Sequence, residues 1–93
     1  MANERLLEIR AEIDAIDAEL AALFERRMDI VSEVAIIKRK AGLPIYDPSR
    51  EDAVVAQGRA RVSSQYADKM EQFLRELMRL SKERQQELTN AEQ

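Results

Sequence analysis

One long stretch, from Glu4 to Lys40, constrains the chain most, because its apolar residues recur at alternating spacings of three and four. This spacing is typical of one face of an α-helix. The recurring positions are Leu6, Ile9, Ile13, Ile16, Leu20, Leu23, Ile30, Val34 and Ile37. Arg27 stands where the series requires an apolar residue. Burying a cation costs several kcal/mol unless a nearby anion compensates its charge, so the partner of Arg27 is either a nearby carboxylate or an anionic ligand.

The composition favours an all-α fold in a single domain. The chain has 93 residues, and a chain of this size buries only about 60 to 65% of its unfolded surface, so association would add stability. The apolar content of 45% is almost entirely aliphatic residues and Ala, with two Gly, two Pro and two Phe. This composition suits helices far better than a sheet.

The charge and the missing residue types exclude several classes of function. A net charge of −3 and a pI near 5.0 argue against nucleic acid or an anionic membrane as the main partner. The chain has no Cys and no His, which excludes disulfides, thiolate catalysis, Ser-His triads and His-bound metals. The N-terminus has no signal-peptide pattern and no window is apolar enough to span a membrane, so we expect a cytoplasmic protein.

Local signals divide the chain into three helices. Gly42 and Pro44 are expected to end the first helix, and Asp47 followed by Pro48 is expected to cap the second. Gly58 lies inside the second helix, where it costs about 1 kcal/mol relative to Ala. The predicted helices span about 4–40, 48–62 and 67–88 of one domain covering 1–93, with a turn at 63–66 and a frayed tail from Thr89 to Gln93.

The third helix has a polar break in its apolar face as well. Met70, Leu74 and Leu77 are followed at the same spacing by Ser81 and Gln85. Polar residues at such positions can simply fix register or oligomeric state, as buried Asn does in coiled coils. If the breaks in the first and third helices meet, however, they form a polar pocket inside a helical bundle.

Helical geometry tests which cations can share a ligand. Arg27 and Lys38 are eleven residues apart, which places them about 20° apart around the helix and about 16 Å apart along it. Long side chains leaning together can hold a small dianion across that distance. Arg10 is about 25 Å from Arg27 and about 42 Å from Lys38 along the helix, so it cannot reach their pocket within one chain, whereas a second copy running antiparallel could bring it there. A symmetric dimer would then contain two sites.

The order and spacing of these residues resemble a known family, the small all-helical chorismate mutases of the AroQ class. The resemblance covers nearly the whole chain, and the order and spacing of its segments are more specific than any one of them. The segments are Arg10-x-x-Ile13-Asp14-x-Ile16-Asp17, Leu20-x-x-Leu23 leading to Arg26-Arg27, Lys38, Pro44-x-x-Asp47-x-x-Arg50-Glu51 and Ser81-x-x-x-Gln85.

The resemblance implies three helices per chain, a homodimer intertwined through the long first helix, and conversion of chorismate to prephenate in aromatic amino-acid biosynthesis. It implies that Arg27, and Arg10 from the partner chain, bind the substrate carboxylates. Lys38 and Gln85 are the implied catalytic donors to the ether oxygen. Glu51 would accept a hydrogen bond from the ring hydroxyl, and Asp47 and Arg50 would lie on the same side of the ring. Ser81 would contact the ring carboxylate.

This chemistry fits the residue types, because a pericyclic rearrangement needs no nucleophile, metal, cofactor or proton relay. It needs a dianion held in its reactive conformer and donors aimed at the oxygen that gains charge. Arginine suits the first task through its bidentate fork, and lysine suits the second as a compact charge.

Other interpretations stay open. A related isochorismate pyruvate lyase would share the fold and much of the basic site, although Glu51 favours the mutase. A non-catalytic helical dimerisation module would use its buried charges only to set register. Individually, Asp47 is also explained as a helix cap, Arg50 as a surface charge and Ser81 as a small packing residue.

Overall fold

The computed structural model describes residues 2–91, and helices make up nearly all of that range. Within it there is no strand, so the prediction of an all-α fold with three helices is confirmed. None of the described helices is long and apolar enough to cross a membrane. The helices are α1 (Ala2–Ala41), α2 (Pro48–Arg61) and α3 (Ala67–Ala91), with a 3-10 turn at Ser64–Tyr66.

The end of α1 is a two-bond glycine cap. Gly42 has a φ of 69°, which favours glycine because other residues carry a Cβ that is strained there. Its N–H donates to Arg39 O at 3.2 Å, and the N–H of Leu43 donates to Lys38 O at 2.8 Å. This is the Schellman arrangement, in which the carbonyls of the last turn find donors in the returning chain. The connector after α1 therefore begins with its backbone bonded to the carbonyls of Lys38 and Arg39.

The start of α2 follows the predicted cap. Asp47 Oδ1 accepts a hydrogen bond from Arg50 N at 3.1 Å, and Pro48 occupies the first turn, where its missing N–H has no cost. Glu51 lies in that same turn, near the positive end of the helix. The cap thus fixes the orientation of the residues around Glu51.

The C-terminal end of α3 is more ordered than its sequence predicted. The helix continues to Ala91, whereas we expected fraying from Thr89. Thr89 Oγ1 donates to Gln85 O at 3.0 Å, and Gln86 Nε2 donates to Asn90 Oδ1 at 3.1 Å. These contacts satisfy polar groups in the last turns. Glu92 and Gln93, which the same prediction included, lie outside the described residues.

The chain divides into an N-terminal unit that ends at Ile30 and a C-terminal unit that begins at Val31. The N-terminal unit is a stretch of α1 whose apolar stripe is exposed within one chain. In the C-terminal unit α2 packs on α3, and the buried apolar residues are Ala35, Val55 and Met78. The prediction of one domain stays a prediction.

Gly58 lies on the side of α2 that faces α3. It is buried, and a Cβ built on it would collide with Leu74 Cδ1 and lie 3.5 Å from Met70 Cγ. We expected this residue only to weaken α2. In the structure the Leu74 side chain fills the space beside Gly58, so a side chain at this position would require Leu74 to move.

Charged pairs lie on the surface of α2 and α3, and some of them join the two helices. Arg59 of α2 reaches Asp68 at 2.8 Å and Glu71 at 3.1 Å on α3, and the hydrogen bond to Asp68 raises the pKa of Arg59. Farther along α3, the hydrogen bond from Arg79 holds the pKa of Glu76 below its usual value. Such exposed pairs contribute little to stability individually.

Candidate active site

Lys38 is held by the loop that follows its own helix. Its Nζ donates to Ile45 O at 3.0 Å, and its backbone carbonyl accepts from Leu43. The side chain is partly buried. A lysine ammonium carries three donors, so one bond to Ile45 fixes its position while leaving capacity for a ligand.

Glu51 projects from the first turn of α2 and meets α3 through a lysine that the sequence analysis did not single out. Glu51 Oε2 lies 2.9 Å from Lys82 Nζ, and the side chains of Glu51 and Lys82 are only 18% and 33% exposed. Lys82 Nζ also lies 4.7 Å from the centroid of the Tyr46 ring. The pair links the start of α2 to the polar stretch of α3.

Ser81 and Gln85 are buried, at 5% and 6% exposure, as their places in the apolar face of α3 predicted. Ser81 Oγ donates to Leu77 O at 2.8 Å, a bond within the helix that also suits a packing residue. The side-chain oxygen of Gln85 has no hydrogen-bond partner in the described part of the chain. A buried unpaired carbonyl costs about 1 to 3 kcal/mol, and because this oxygen is an acceptor it suits a group that donates a hydrogen bond, whereas the donors of Gln85 are on Nε2.

Asp47 and Arg50 lie on the exposed side of this region. Asp47 acts as the N-cap of α2, as one of its two interpretations predicted, and the cap uses Oδ1. Arg50 supplies the N–H of that cap. Their predicted contacts with substrate stay predictions.

Arg10 and Arg27 both belong to the N-terminal unit. Arg27 is half-buried and Arg10 is exposed, and their spacing of seventeen residues corresponds to about 25 Å along a helix. A single chain therefore cannot apply both guanidinium groups to one small anion. Their roles as carboxylate ligands also stay predictions.

In the C-terminal unit, the contacts join the loop around Lys38, the first turn of α2 and the polar stretch of α3. These contacts bring the Lys82 ammonium to the Glu51 carboxylate and hold the Lys38 ammonium at Ile45 O, and Ser81 and Gln85 lie on the same helix as Lys82. Ammonium groups can bind an anion and can stabilise charge that develops on an oxygen. The sequence did not predict a role for Lys82. In the sequence it looks like a solvated lysine, and only the packing of α3 against α2 shows that it pairs with Glu51.

The family model for chorismate mutase type II matches residues 9–86, a range that contains every predicted site residue from Arg10 to Gln85. The chain is also similar to the T-protein of Haemophilus influenzae, with 44% identity over 80 residues, and to that of Enterobacter agglomerans, with 38% identity over 78 residues. These alignments cover 84% and 82% of this chain and 21% of each T-protein.

A third relative is the chorismate mutase of Methanocaldococcus jannaschii, with 46% identity over 48 residues, which are 52% of this chain and 48% of that protein. No solved structure matches the chain significantly. The chain spans about a fifth of the T-proteins and about half of the Methanocaldococcus jannaschii chorismate mutase. The family match nevertheless runs through all three helices, and the chain therefore belongs to the chorismate mutase type II family.

Proposed function

We propose that this chain converts chorismate to prephenate for the synthesis of phenylalanine and tyrosine. In this rearrangement the ether C–O bond breaks and a C–C bond forms within one molecule, so the reaction needs neither oxidant nor leaving group. The observation that carries the proposal is the family match over residues 9–86, which includes all eight predicted site residues. The donors and the acceptor in the C-terminal unit supply the chemistry that the reaction needs.

Lys38 and Gln85 are the proposed catalytic residues, donating to the ether oxygen as it gains negative charge. The bond from Lys38 to Ile45 O supports this role, because a donor fixed before the reaction need not reorganise during it. The burial of Gln85 supports it as well, since donors act most strongly where water is excluded.

The ring side of the substrate is assigned to the first turn of α2 and to α3. Glu51 accepts from the ring hydroxyl, Asp47 and Arg50 frame that side, and Ser81 contacts the ring carboxylate. Support for Glu51 comes from its low exposure, because a partly desolvated carboxylate is a strong acceptor.

We further propose a homodimer in which Arg10 reaches the partner's site, where Arg27 and Lys38 also bind. The support is the apolar stripe of the N-terminal unit, where Leu6 is 44%, Ile13 is 48% and Leu23 is 57% exposed in one chain. A continuous exposed stripe of this kind is typical of an interface. A second copy of α1 would cover it.

Product identification tests the proposed reaction. The purified chain is incubated separately with chorismate and with isochorismate, and the products are separated and identified. We expect prephenate from chorismate, at a rate that Lys38→Ala reduces strongly. Salicylate and pyruvate from isochorismate, without prephenate from chorismate, would identify a lyase instead. A chain that turns over neither compound would be a helical module without this catalysis.

A further inference from the structure

Glu51 has a partner for which the proposed mechanism gives no reason. Lys82 Nζ lies 2.9 Å from Glu51 Oε2, and the Glu51 side chain is largely withdrawn from water while a third of the Lys82 side chain is exposed. An exposed ion pair between neighbouring helices would need no functional explanation. This one involves the carboxylate that is assigned to the ring hydroxyl of the substrate, so its geometry affects the site directly.

Lys82 is itself fixed from a second direction. Its Nζ lies 4.7 Å from the centre of the Tyr46 ring, a cation–π contact. Tyr46 directly precedes the Asp47 cap, and Glu51 follows that cap in the first turn of α2. A single ammonium group of α3 therefore contacts both sides of the capped turn.

We propose that Lys82 is a positioning residue that orients Glu51 to accept the ring hydroxyl of the substrate. This inference rests on the proposed mutase function. The ion pair engages Oε2, which leaves Oε1 as the oxygen for the hydroxyl. A free glutamate side chain would lose rotamer freedom when it bound substrate, and the pair with Lys82 removes that cost in advance.

The same contact joins the two parts of the C-terminal unit that supply the ring side of the site. Lys82 follows Ser81 directly and precedes Gln85 by three residues on α3. Holding Glu51 against this turn of α3 sets the spacing between the hydroxyl acceptor on α2 and the groups on α3. Reactive geometry is sensitive to such spacing, since a shift of about 1 Å costs up to about 100-fold in rate.

The first experiment compares two substrates. Lys82→Met keeps most of the apolar stem and removes the charge, and we expect it to lower kcat/KM for chorismate about 10-fold. With an analogue in which hydrogen replaces the ring hydroxyl, the same substitution should change kcat/KM by less than about twofold. Lys82→Arg should recover most of the loss, because it restores a cation beside Glu51.

Lys69→Met is the matched control. It removes the same charge from an exposed position on α3, thirteen residues and about 20 Å along the helix from Lys82. We expect it to leave kcat/KM for both compounds unchanged within about twofold, which separates a local effect from a change in net charge. Circular dichroism checks folding, and Lys82→Gln provides the same readout if Lys82→Met does not fold.

A double-mutant cycle with Glu51→Gln completes the test. If Lys82 acts through Glu51, adding Lys82→Met to Glu51→Gln should cost less than about twofold more. Equal losses on both substrates, or losses that multiply in the double variant, would overturn the positioning role. Failure of the proposed function has a different signature, because the unaltered chain would then not convert chorismate at all.

Discussion

Gln85 places a neutral donor at a buried position, and this predicts how activity depends on pH. A carboxamide donates without first taking up a proton, whereas a glutamic acid donates only while it is protonated. We expect kcat/KM for chorismate to vary by less than about threefold between about pH 6 and 8. Gln85→Glu should instead lose activity steadily as pH rises through that range.

The measurement is a pH–rate profile of both proteins in a buffer of constant ionic strength. The unaltered chain serves as the control for changes in the substrate itself. A sharp loss of turnover by the unaltered chain between about pH 6 and 8 would contradict the assignment, because a titrating group would then have to supply the proton.

Lys38 has two roles, because its ammonium group donates to Ile45 O in the loop and is also assigned to the ether oxygen of the substrate. We expect Lys38→Ala to lower kcat by about 10² to 10³, the usual loss for a preorganised donor. Lys40→Ala is the matched control, since Lys40 is an exposed lysine in the same last turn of α1. It should retain activity within about twofold.

Steady-state kinetics and thermal unfolding, measured together, separate the two roles of Lys38. Loss of the loop contact alone would lower the melting temperature while the folded protein kept its turnover. A Lys38→Ala protein that is less stable but fully active would therefore show that the residue only holds the loop.

Among the helices, the contact between α2 and α3 gives a prediction about stability. Gly58→Ala gains about 1 kcal/mol of helix propensity, but its new methyl group collides with Leu74, and overpacking typically costs about 1 to 3 kcal/mol. We expect the free energy of unfolding to fall by about 1 kcal/mol, measured by urea denaturation. Gln57→Ala, at the exposed neighbouring position, should change it by less than about 0.5 kcal/mol.

Combining Gly58→Ala with Leu74→Val checks the mechanism of this loss. Shortening the side chain at position 74 makes room for the added methyl group, so part of the lost stability should return and the two effects should not add. A Gly58→Ala protein that is more stable than the original would mean that helix propensity outweighs the collision.

The end of α1 and the start of α2 could be predicted because the responsible forces are local. The positive φ at Gly42 and the cap at Asp47 are fixed by the chemistry of a few neighbouring residues. The burial of Ser81 and Gln85 followed from their spacing along a single apolar face. Each of these features is determined within one helix or one turn.

The features that could not be predicted depend on how one helix packs against another. Gly58 looks like a weakness until Leu74 is known to lie against it, and Lys82 is indistinguishable from a solvated lysine until Glu51 and Tyr46 are placed beside it. Side-chain spacing gives the face of a helix but not the register of its partner. The ion pair at the proposed site therefore required the three-dimensional arrangement.

For the whole molecule, the exposed stripe of the N-terminal unit and the position of Arg10 lead to one prediction. If each site takes Lys38 from its own chain and Arg10 from the partner, Arg10→Ala and Lys38→Ala are each nearly inactive alone. In a mixed dimer, one site lacks both residues and the other site is complete. Mixing equal amounts makes about half of the dimers mixed, so about one quarter of all sites should recover.

Activity is measured before and after subunit exchange, and energy transfer between labelled chains confirms that exchange occurs. The control mixture combines Arg10→Ala with the double variant Arg10→Ala/Lys38→Ala, in which each site lacks Arg10 and no recovery is expected. If the first mixture also stays inactive although labelled chains have exchanged, the sites are not shared. Recovery near one quarter, by contrast, requires that each site combine Lys38 of one chain with Arg10 of the other.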